Sequence, residues 1–351
     1  MKVFAALFEK SAKEVEYLAH SLTGIDIGAR SIKLAVCKQG EVTQTVVEQL
    51  PEGVLREGRI LSADSLADFL KVLFKEKGIR VKDCSLILPA SQVTLLRLSM
   101  PYMTLDNLMI NLPYEFRESL TQEKEKYFFD YSVVEVTKDE LGMPATLELL
   151  AASVPKDTIY EYSGVLRRAG LKLHAAAPEE IAWMGLLKTA KERSPESLPD
   201  DCCIVDLGES ASRVHIFAGG NFEISRVIEL GGRSIDQAIA AHYDVDLHVA
   251  KLYKDGNFEK CQELEECQSI YNSIGVEIMR ALNFYTYNNP TRELTDVWFC
   301  GGGARIRPLV NTVSEHIGQK GHSIAELVPG IAEDAEFCAA AASVALMEGA
   351  Q

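Results

Sequence analysis

The chain has 351 residues, of which 51 are acidic and 36 are basic, so its net charge is −15. This charge disfavours nucleic acid and anionic membrane surfaces as partners, because both attract basic patches. The length predicts two domains or lobes, and a hydrophobic content of 47% is enough for a sizeable core.

The eight cysteines show no C-x-x-C motif and no zinc-binding spacing, so we expect buried, reduced thiols. No apolar run reaches the roughly 18 residues that a membrane-spanning helix needs. Residues 1–21 mix acidic and basic side chains, unlike a signal peptide. Their apolar spacing predicts an amphipathic leader helix, docked on the protein or, as the alternative, lying on a membrane.

In chain order, the first half predicts alternating strands and helices. Residues 24–37 are rich in branched apolar side chains and predict one strand, which forms a hairpin with a second strand at 42–50. Residues 62–78 show helical spacing that begins at Ser62 and stops at Gly78. Residues 90–170 predict the order β-α-β-β-α, which is typical of a compact insertion. Its first helix is expected from Thr104 to about Leu120.

A strand at 171–178 and a helix at 179–192 come next. The polar, Pro-containing stretch 193–201 then predicts a linker between the lobes. Further along, residues 297–300 predict a buried strand, and residues 305–318 predict a helix with Pro in its first turn.

Two stretches of the chain are similar to each other: GIDIGARSIKLAVCKQGE from Gly24 and IVDLGESASRVHIFAGGN from Ile204. When Asp26 is aligned with Asp206, Gly28 falls on Gly208, Lys33 on Arg213 and Gly40 on Gly220. Each copy predicts strand, tight turn, strand, turn and strand, with D-x-G at the first bend. Such self-similarity indicates duplicated architecture, in which two α/β lobes face each other and place both D-x-G turns across one cleft.

A D-x-G turn suits phosphate chemistry. Glycine lets the backbone approach a ligand and exposes N–H groups that bind phosphate oxygens. Lys33 is predicted to point back toward the first turn and neutralise phosphate charge, and an Asp beside phosphates suits hydrated Mg²⁺. A single D-x-G is more often a plain β-turn, so the prediction depends on the pair.

Two further glycine clusters support a ligand site. Gly301, Gly302 and Gly303 follow the strand VWFC, and three glycines at such a place suit a flat ligand lying against the backbone. Gly231 and Gly232 precede another predicted helix, whose N-terminus favours anions. Neither a P-loop nor G-x-G-x-x-G after a strand is present.

Together these motifs resemble the actin-like ATPase superfamily, which includes actin, sugar kinases, heat-shock chaperone ATPases and bacterial FtsA. Within it, the chain resembles the PilM family of type IV pilus assembly proteins from Leu22 to Leu346. GIDIGARSIKLAV is similar to the phosphate-binding opening of that family and LPASQVTLLRLSMPYMTLDNLMINLPYEFRESL to its inserted module. VEIMRALNFYTYN and FCGGGARIRPL are similar to its late helix and adenosine loop.

The resemblance implies an α/β fold of two actin-like lobes, each ribonuclease-H-like, with an FtsA-like inserted subdomain. The implied boundaries are 22–89 and 170–192 for the core of lobe 1, 90–169 for the inserted subdomain, 202–330 for lobe 2 (232–296 its outer part) and 331–351 for a C-terminal helix returning to lobe 1.

The resemblance also implies ATP and Mg²⁺ as ligands. The implied phosphate-binding residues are Asp26, Gly28, Ala29, Arg30, Ser31 and Lys33 from lobe 1, and Asp206, Gly208, Glu209 and Ser210 from lobe 2. Gly231 and Gly232 would pass near phosphate or ribose, Lys254, Glu277 and Arg280 would border the nucleoside, and Gly301, Gly302, Gly303, Ala304 and Arg305 would carry the adenine. Asp26 and Asp206 would hold Mg²⁺ through water.

One departure from the family concerns hydrolysis. Ala177 stands where similar proteins place an Asp at the start of the connecting helix. A general base must reach the water that it activates, so turnover is expected to be slow or absent. The catalytic residue stays open, with Glu180 as the candidate substitute.

The resemblance implies an ATP-binding adaptor in the cytoplasm, held at the inner membrane face by a partner. That partner would be the cytosolic tail of a PilN-like membrane protein, with an Asn-Leu-Leu-Pro core, bound in a groove between lobe 1 and the inserted module. MPYM at 100–103 is expected to be exposed there. Self-association is left open. The alternatives are an active ATPase or small-molecule kinase, which Ala177 disfavours, and an FtsA-like filament-forming division protein, which the end ASVALMEGAQ disfavours because it lacks basic residues.

Overall fold

The computed structural model describes residues 21–56, 58–195, 198–330 and 334–347. The predicted leader helix lies almost entirely outside these residues. The described strands are β1 Ser21–Ile27, β2 Ser31–Lys38, β3 Glu41–Gln49, β4 Leu55–Arg56, β5 Arg59–Ile60, β6 Asp83–Ile87, β7 Thr94–Pro101, β8 Tyr127–Lys138, β9 Pro144–Pro155, β10 Lys172–Ala177, β11 Asp201–Leu207, β12 Ser212–Ala218, β13 Asn221–Ile228, β14 Asp296–Cys300 and β15 Lys320–Ser323. The described α-helices are α1 Ala63–Glu76, α2 Leu105–Glu115, α3 Lys156–Arg168, α4 Glu179–Arg193, α5 Gly232–Tyr243, α6 Leu247–Gly256, α7 Glu265–Asn288, α8 Arg307–Ile317 and α9 Ala335–Leu346.

The chain divides into two units. The first holds residues up to Leu186 and again from Ala340, and the second holds Leu187–Ala339. The boundaries therefore fall within α4 and α9, and the stretch 193–201 that predicted a linker lies inside the second unit. Within the first unit the backbone of α9 packs directly on β1, because a Cβ added to Gly24 would overlap the carbonyl oxygen of Ala341.

Both units contain the same sheet. In the first unit the strand order is β10-β6-β1-β2-β3, and in the second it is β15-β14-β11-β12-β13. In each, three consecutive strands run antiparallel and two later strands add in parallel beside the first of them. The duplication predicted from the two D-x-G stretches is confirmed. The stretch 24–37 is two strands, with the D-x-G turn between them.

The duplication extends to a pair of side chains that the sequence analysis did not single out. Asp83 begins β6, and its Oδ1 lies 2.6 Å from Nε2 of His174 on β10. Asp296 begins β14, and its Oδ1 lies 2.7 Å from Nε2 of His322 on β15. Each unit therefore links its two parallel strands with one Asp–His contact at the corresponding place. In the second unit His322 also stacks on Trp298.

The inserted segment forms a sheet of its own, in the order β7-β9-β8. Its core is closed by α2 and contains Met100, Leu108, Leu112, Phe116, Leu147, Leu149 and Ala151. Two details differ from the predictions. The helix ends at Glu115 rather than near Leu120, because the chain turns after it so that Phe116 enters this core. Met100, expected to be exposed with its neighbours, is buried because it faces α2.

Helix α3 packs elsewhere, against α1 and β10 of the same unit. Its Tyr162 is buried and donates a hydrogen bond to the carbonyl of Gly58. In the second unit β14 is followed by the three-glycine loop, then α8 and β15. In the first unit β6 is followed by the inserted segment, then α3 and β10. Residues 94–155, which we call the module, therefore stand at the chain position that the glycine loop occupies in the second unit.

Candidate nucleotide-binding loops

The first D-x-G turn carries an ion pair. Asp26 on β1 lies directly opposite Lys33 on β2, and their side chains meet with 2.8 Å between Nζ and Oδ2. The turn is closed by a hydrogen bond from the Gly28 N–H to the Ser31 carbonyl. Because a Cβ on Gly28 would lie 3.2 Å from the Lys33 Nζ, the ammonium group lies beside the turn, as predicted from the sequence.

The second D-x-G turn repeats this arrangement. Asp206 on β11 lies opposite Arg213 on β12, with 3.6 Å between Nη1 and Oδ2. Both Asp side chains keep a similar small exposure, 16% for Asp26 and 17% for Asp206. Each turn therefore presents one partly exposed carboxylate with a basic neighbour on the next strand.

The three-glycine loop packs against the second turn. Gly301 adopts a φ of +82°, and an added Cβ would overlap the Asp206 Oδ1 and lie 2.8 Å from the Leu207 carbonyl oxygen. A Cβ on Gly303 would lie 2.7 Å from the Leu207 Cβ. Both are buried, whereas Gly302 is exposed. Only the middle glycine therefore offers an open surface, and the outer two serve close packing.

The Gly231-Gly232 pair also converges on this turn. Gly231 is the N-cap of α5, and an added Cβ would lie 2.6 Å from the Gly208 carbonyl oxygen. The Gly232 N–H donates to the Gly208 carbonyl, and the Arg233 N–H donates to the Glu209 carbonyl, at 2.9 and 2.8 Å. These two N–H groups are bonded within the protein and are not offered to an anion. The placement of Gly231 and Gly232 near phosphate or ribose stays a prediction.

Lys254, expected beside the nucleoside, lies in a buried ion pair. Its Nζ is 2.6 Å from Oδ1 of Asp236, whose side chain has no exposed surface. The same Nζ donates to the Gly232 carbonyl at 3.3 Å. The Lys254 ammonium therefore links α6 to the start of α5. It supports the second turn through Gly232, whose N–H donates to the Gly208 carbonyl. No motif in the sequence indicated Asp236 as the partner of Lys254.

Glu277 and Arg280 lie on an exposed side of α7. They pair with each other, and Glu277 also accepts from Arg226 of β13 at 3.2 Å. Both line an open depression of about 690 Å³ along α7, together with Leu230. Glu277 and Arg280 therefore lie together beside β13. Among the described residues, no hydrogen bond or ion pair joins them to the glycine loop.

Arg305 is held by the start of α9. It pairs with Asp334 and, at 3.1 Å from Nε, with Glu336, and its guanidinium lies 4.0 Å from the centre of the Phe337 ring. The Gly301 N–H donates to the Glu336 carbonyl at 2.8 Å. Residues 334–337 are contacts of the loop that sequence reasoning missed, because nothing in DAEF resembles a ligand motif.

Metal chemistry is limited by the donor set. Among the described residues, no group of three or more His, Cys, Asp or Glu side chains could hold a metal ion. Mg²⁺ commonly keeps several waters and takes one or two carboxylates plus substrate phosphates. Within its own unit, each of the partly exposed Asp26 and Asp206 carboxylates could serve in that mode, whereas the described residues offer no metal cage made of protein ligands.

Two units with the same five-stranded sheet, each with a D-x-G turn, and a separate module in the first of them define an actin-like protein. A family model for the type IV pilus assembly protein PilM matches residues 24–335. The chain belongs to this family, and the resemblance inferred from its motifs is confirmed.

Solved structures show the same fold. A chain of the PilM-PilN type IV pilus biogenesis complex is 20% identical with a TM-score of 0.79, covering 94% of this chain and 99% of that one. The ethanolamine utilization protein EutJ from Carboxydothermus hydrogenoformans is 12% identical with a TM-score of 0.59, covering 93% and 89%. No curated protein sequence matches the chain.

Proposed function

We propose that the chain is an ATP-binding adaptor of the type IV pilus assembly complex, and that its output is a contact with the cytosolic tail of a PilN-like membrane protein. Family membership and the likeness to the PilM-PilN complex support this proposal. The observation that carries the nucleotide part is the convergence of three glycine-containing loops around Asp206, with Gly302 left exposed.

The residues present fit a nucleotide with hydrated Mg²⁺. In the second unit Asp206 would take the metal through water, and Arg213 would neutralise phosphate charge once the Asp206 carboxylate faces the metal. Asp26 and Lys33 offer the same pair of groups in the first unit. Gly302 would receive the base. When bound, Mg²⁺ would supply charge for the phosphates, while the chain's own residues bind and orient the nucleotide.

Calorimetric titration with ATP and Mg²⁺ tests this site. Asp26→Asn should weaken binding about tenfold or more, because it removes a charge that faces the metal. Asp64→Asn is the matched control, since the Asp64 side chain is 88% exposed on α1. Gly302→Val should also reduce affinity by filling the open surface. Wild-type affinity in both Asp26→Asn and Gly302→Val would refute the assignment.

Hydrolysis is proposed to be weak. Ala177 ends β10 and has no exposed surface, and its carbonyl accepts from the Leu88 N–H. A carboxylate placed there would be buried, which is costly without a partner. Glu180 in the first turn of α4 is partly exposed and is the remaining candidate for a general base. Its neighbour Glu179 accepts a hydrogen bond from Trp183.

The module carries the partner part of the proposal. Leu108 and Leu112 of α2 are buried in the module core, yet Leu105, Met109 and Ile110 are exposed on other sides of the same helix. A helix that is apolar on more than one side is usually covered, and clustered exposed apolar side chains mark interaction sites. We propose that these exposed apolar side chains of α2 form the module's side of the groove for the tail.

A tail peptide should bind by burying its leucines against these side chains, as extended peptides do when alternate side chains enter pockets. Such a contact would hold the protein at the inner membrane face. No helix of the described residues is long and apolar enough to span a membrane.

Fluorescence anisotropy with a labelled peptide containing Asn-Leu-Leu-Pro tests the tail site on the full chain. Leu105→Lys combined with Ile110→Lys should lower the affinity for the peptide about tenfold or more, since burying each leucine contributes roughly 1.5–3 kcal/mol. The affinity for ATP should be unchanged. Leu141→Lys is the matched control, because Leu141 is 88% exposed in the turn between β8 and β9. Point variants are preferable to deleting 90–170, which would remove α3 from the first unit's core.

Unchanged peptide affinity in the Leu105 and Ile110 double variant would contradict the proposed surface. No binding of any tail peptide to the wild-type chain would contradict the adaptor mechanism, whatever the result with ATP.

A further inference from the structure

The start of α9 is attached to the glycine loop at several points. Backbone and side chain of Glu336 bond Gly301 and Arg305, and Asp334 also pairs with Arg305. Two carboxylates therefore already neutralise the Arg305 guanidinium. The positive charge of Arg305 is balanced within the protein, so these contacts, rather than a phosphate, set the position of its side chain.

Arg305 in turn fixes the Phe337 ring. The guanidinium carbon lies 4.0 Å from the ring centre, a cation–π contact that holds the ring in one place. The edge of the ring lies beside Gly302. A Cβ added to Gly302 would meet one atom within 4 Å, the Phe337 Cε1 at 3.3 Å.

The ring borders the surface of Gly302 without covering it. Gly302 remains exposed although Phe337 touches it, while Gly301 and Gly303 are buried. The exposed Gly302 backbone and the Phe337 ring therefore form two adjoining surfaces, which we call the floor and the wall. A flat aromatic group is the ligand that both surfaces favour, because it can lie on bare backbone and make ring contacts at the same time.

We propose that Phe337 is the wall against which the base of a bound purine nucleotide lies, with Gly302 as the floor. This inference rests on the proposed nucleotide binding and adds the residue that gives the base its preference. Purines present a larger ring surface than pyrimidines, so a stacking wall favours ATP over UTP. Arg305 is a positioning residue for the ring.

The test uses the full chain with Mg²⁺ and calorimetric titration of three probes: ATP, UTP and inorganic triphosphate. The wild type should bind ATP more tightly than UTP. Phe337→Ala should lower the affinity for ATP roughly tenfold, the scale found for one base–aromatic stack. It should also reduce the difference in affinity between ATP and UTP and leave the affinity for triphosphate unchanged. Phe337→Tyr keeps a ring and should keep the preference.

Phe284→Ala is the matched control, because Phe284 is 63% exposed on α7 of the same unit. If Phe337→Ala does not fold, Phe337→Leu keeps apolar bulk without a ring and gives the same readout. Unchanged ATP affinity in the ringless variant, or equal loss for all three probes, would overturn the inference and leave ATP binding standing. A wild type that binds no nucleotide would overturn the proposed function together with this inference.

Discussion

Gly301 and Gly302 are neighbours with opposite structural roles, so alanine at each gives a sharp test of the loop. Gly301 has a φ of +82°, where a Cβ costs about 1–2 kcal/mol. The same Cβ would overlap the Asp206 carboxylate, and relieving such an overlap costs about 1–3 kcal/mol more. Gly301→Ala should therefore lower the free energy of unfolding by about 2–5 kcal/mol.

Gly302→Ala should behave differently. Gly302 lies outside the positive-φ region, and the new Cβ would meet the edge of one side chain at 3.3 Å. Surface substitutions of this kind usually change stability by at most about 0.5 kcal/mol. The variant should keep wild-type stability and lose ATP affinity, because a methyl group now stands on the surface proposed for the base.

Urea unfolding followed by tryptophan fluorescence measures both variants. The chain has two tryptophans, and Trp298 lies on β14, next to the loop and stacked on His322. Equal destabilisation by the two substitutions, or a stable Gly301→Ala, would refute the packing described for this loop.

The remaining predictions concern turnover, pH and thiols. Phosphate release from ATP should be slow, and Glu180→Gln should remove what remains; a fast rate that this change leaves intact would place the catalytic group elsewhere. Burial opposes ionisation of Asp296, but hydrogen bonds from Thr295 and His322 outweigh it and lower its pKa. The stabilisation is thus present above the unfolded pKa near 4 and lost as pH falls through the folded pKa. The difference in unfolding free energy between wild type and Asp296→Asn should therefore shrink between pH 5 and pH 2, and a constant difference would count against it. All eight cysteines are buried thiols, and burial raises the pKa of Cys202 to about 12, so the native protein should react with Ellman's reagent far less than the denatured protein; equal reaction would be contrary evidence.

The duplicated sheets could be predicted because their information is local. Alternating apolar residues define β1, β2 and β3 and their counterparts, and the offset of seven residues from Asp26 to Lys33 and from Asp206 to Arg213 is the register of a hairpin with a tight turn. The α1 boundaries followed from the Ser62 cap and from Gly78 in the same way.

The rest depends on contacts between distant segments. The sequence indicated three glycine clusters, but it could not show that Gly231 and Gly301 are required by close packing on one turn. The resemblance implies that Lys254 borders the nucleoside, whereas its observed partner Asp236 is one of 51 acidic residues and stands in no motif that would single it out. Phe337 lacks any motif, and its place beside Gly302 follows from where α9 begins.

The module is joined to the first unit at two adjacent points of the chain path. Thr94, where β7 begins, is paired with Ser153 near the end of β9, so the chain leaves and re-enters the core side by side. A segment with neighbouring ends can be lengthened, exchanged or shortened without moving the strands on either side. The module, for which we propose partner binding, could therefore have been added to one half of a duplicated protein at the junction where the other half has a short glycine loop. If the proposed tail contact is correct, the partner of such a protein can change through this segment while both five-stranded sheets stay the same.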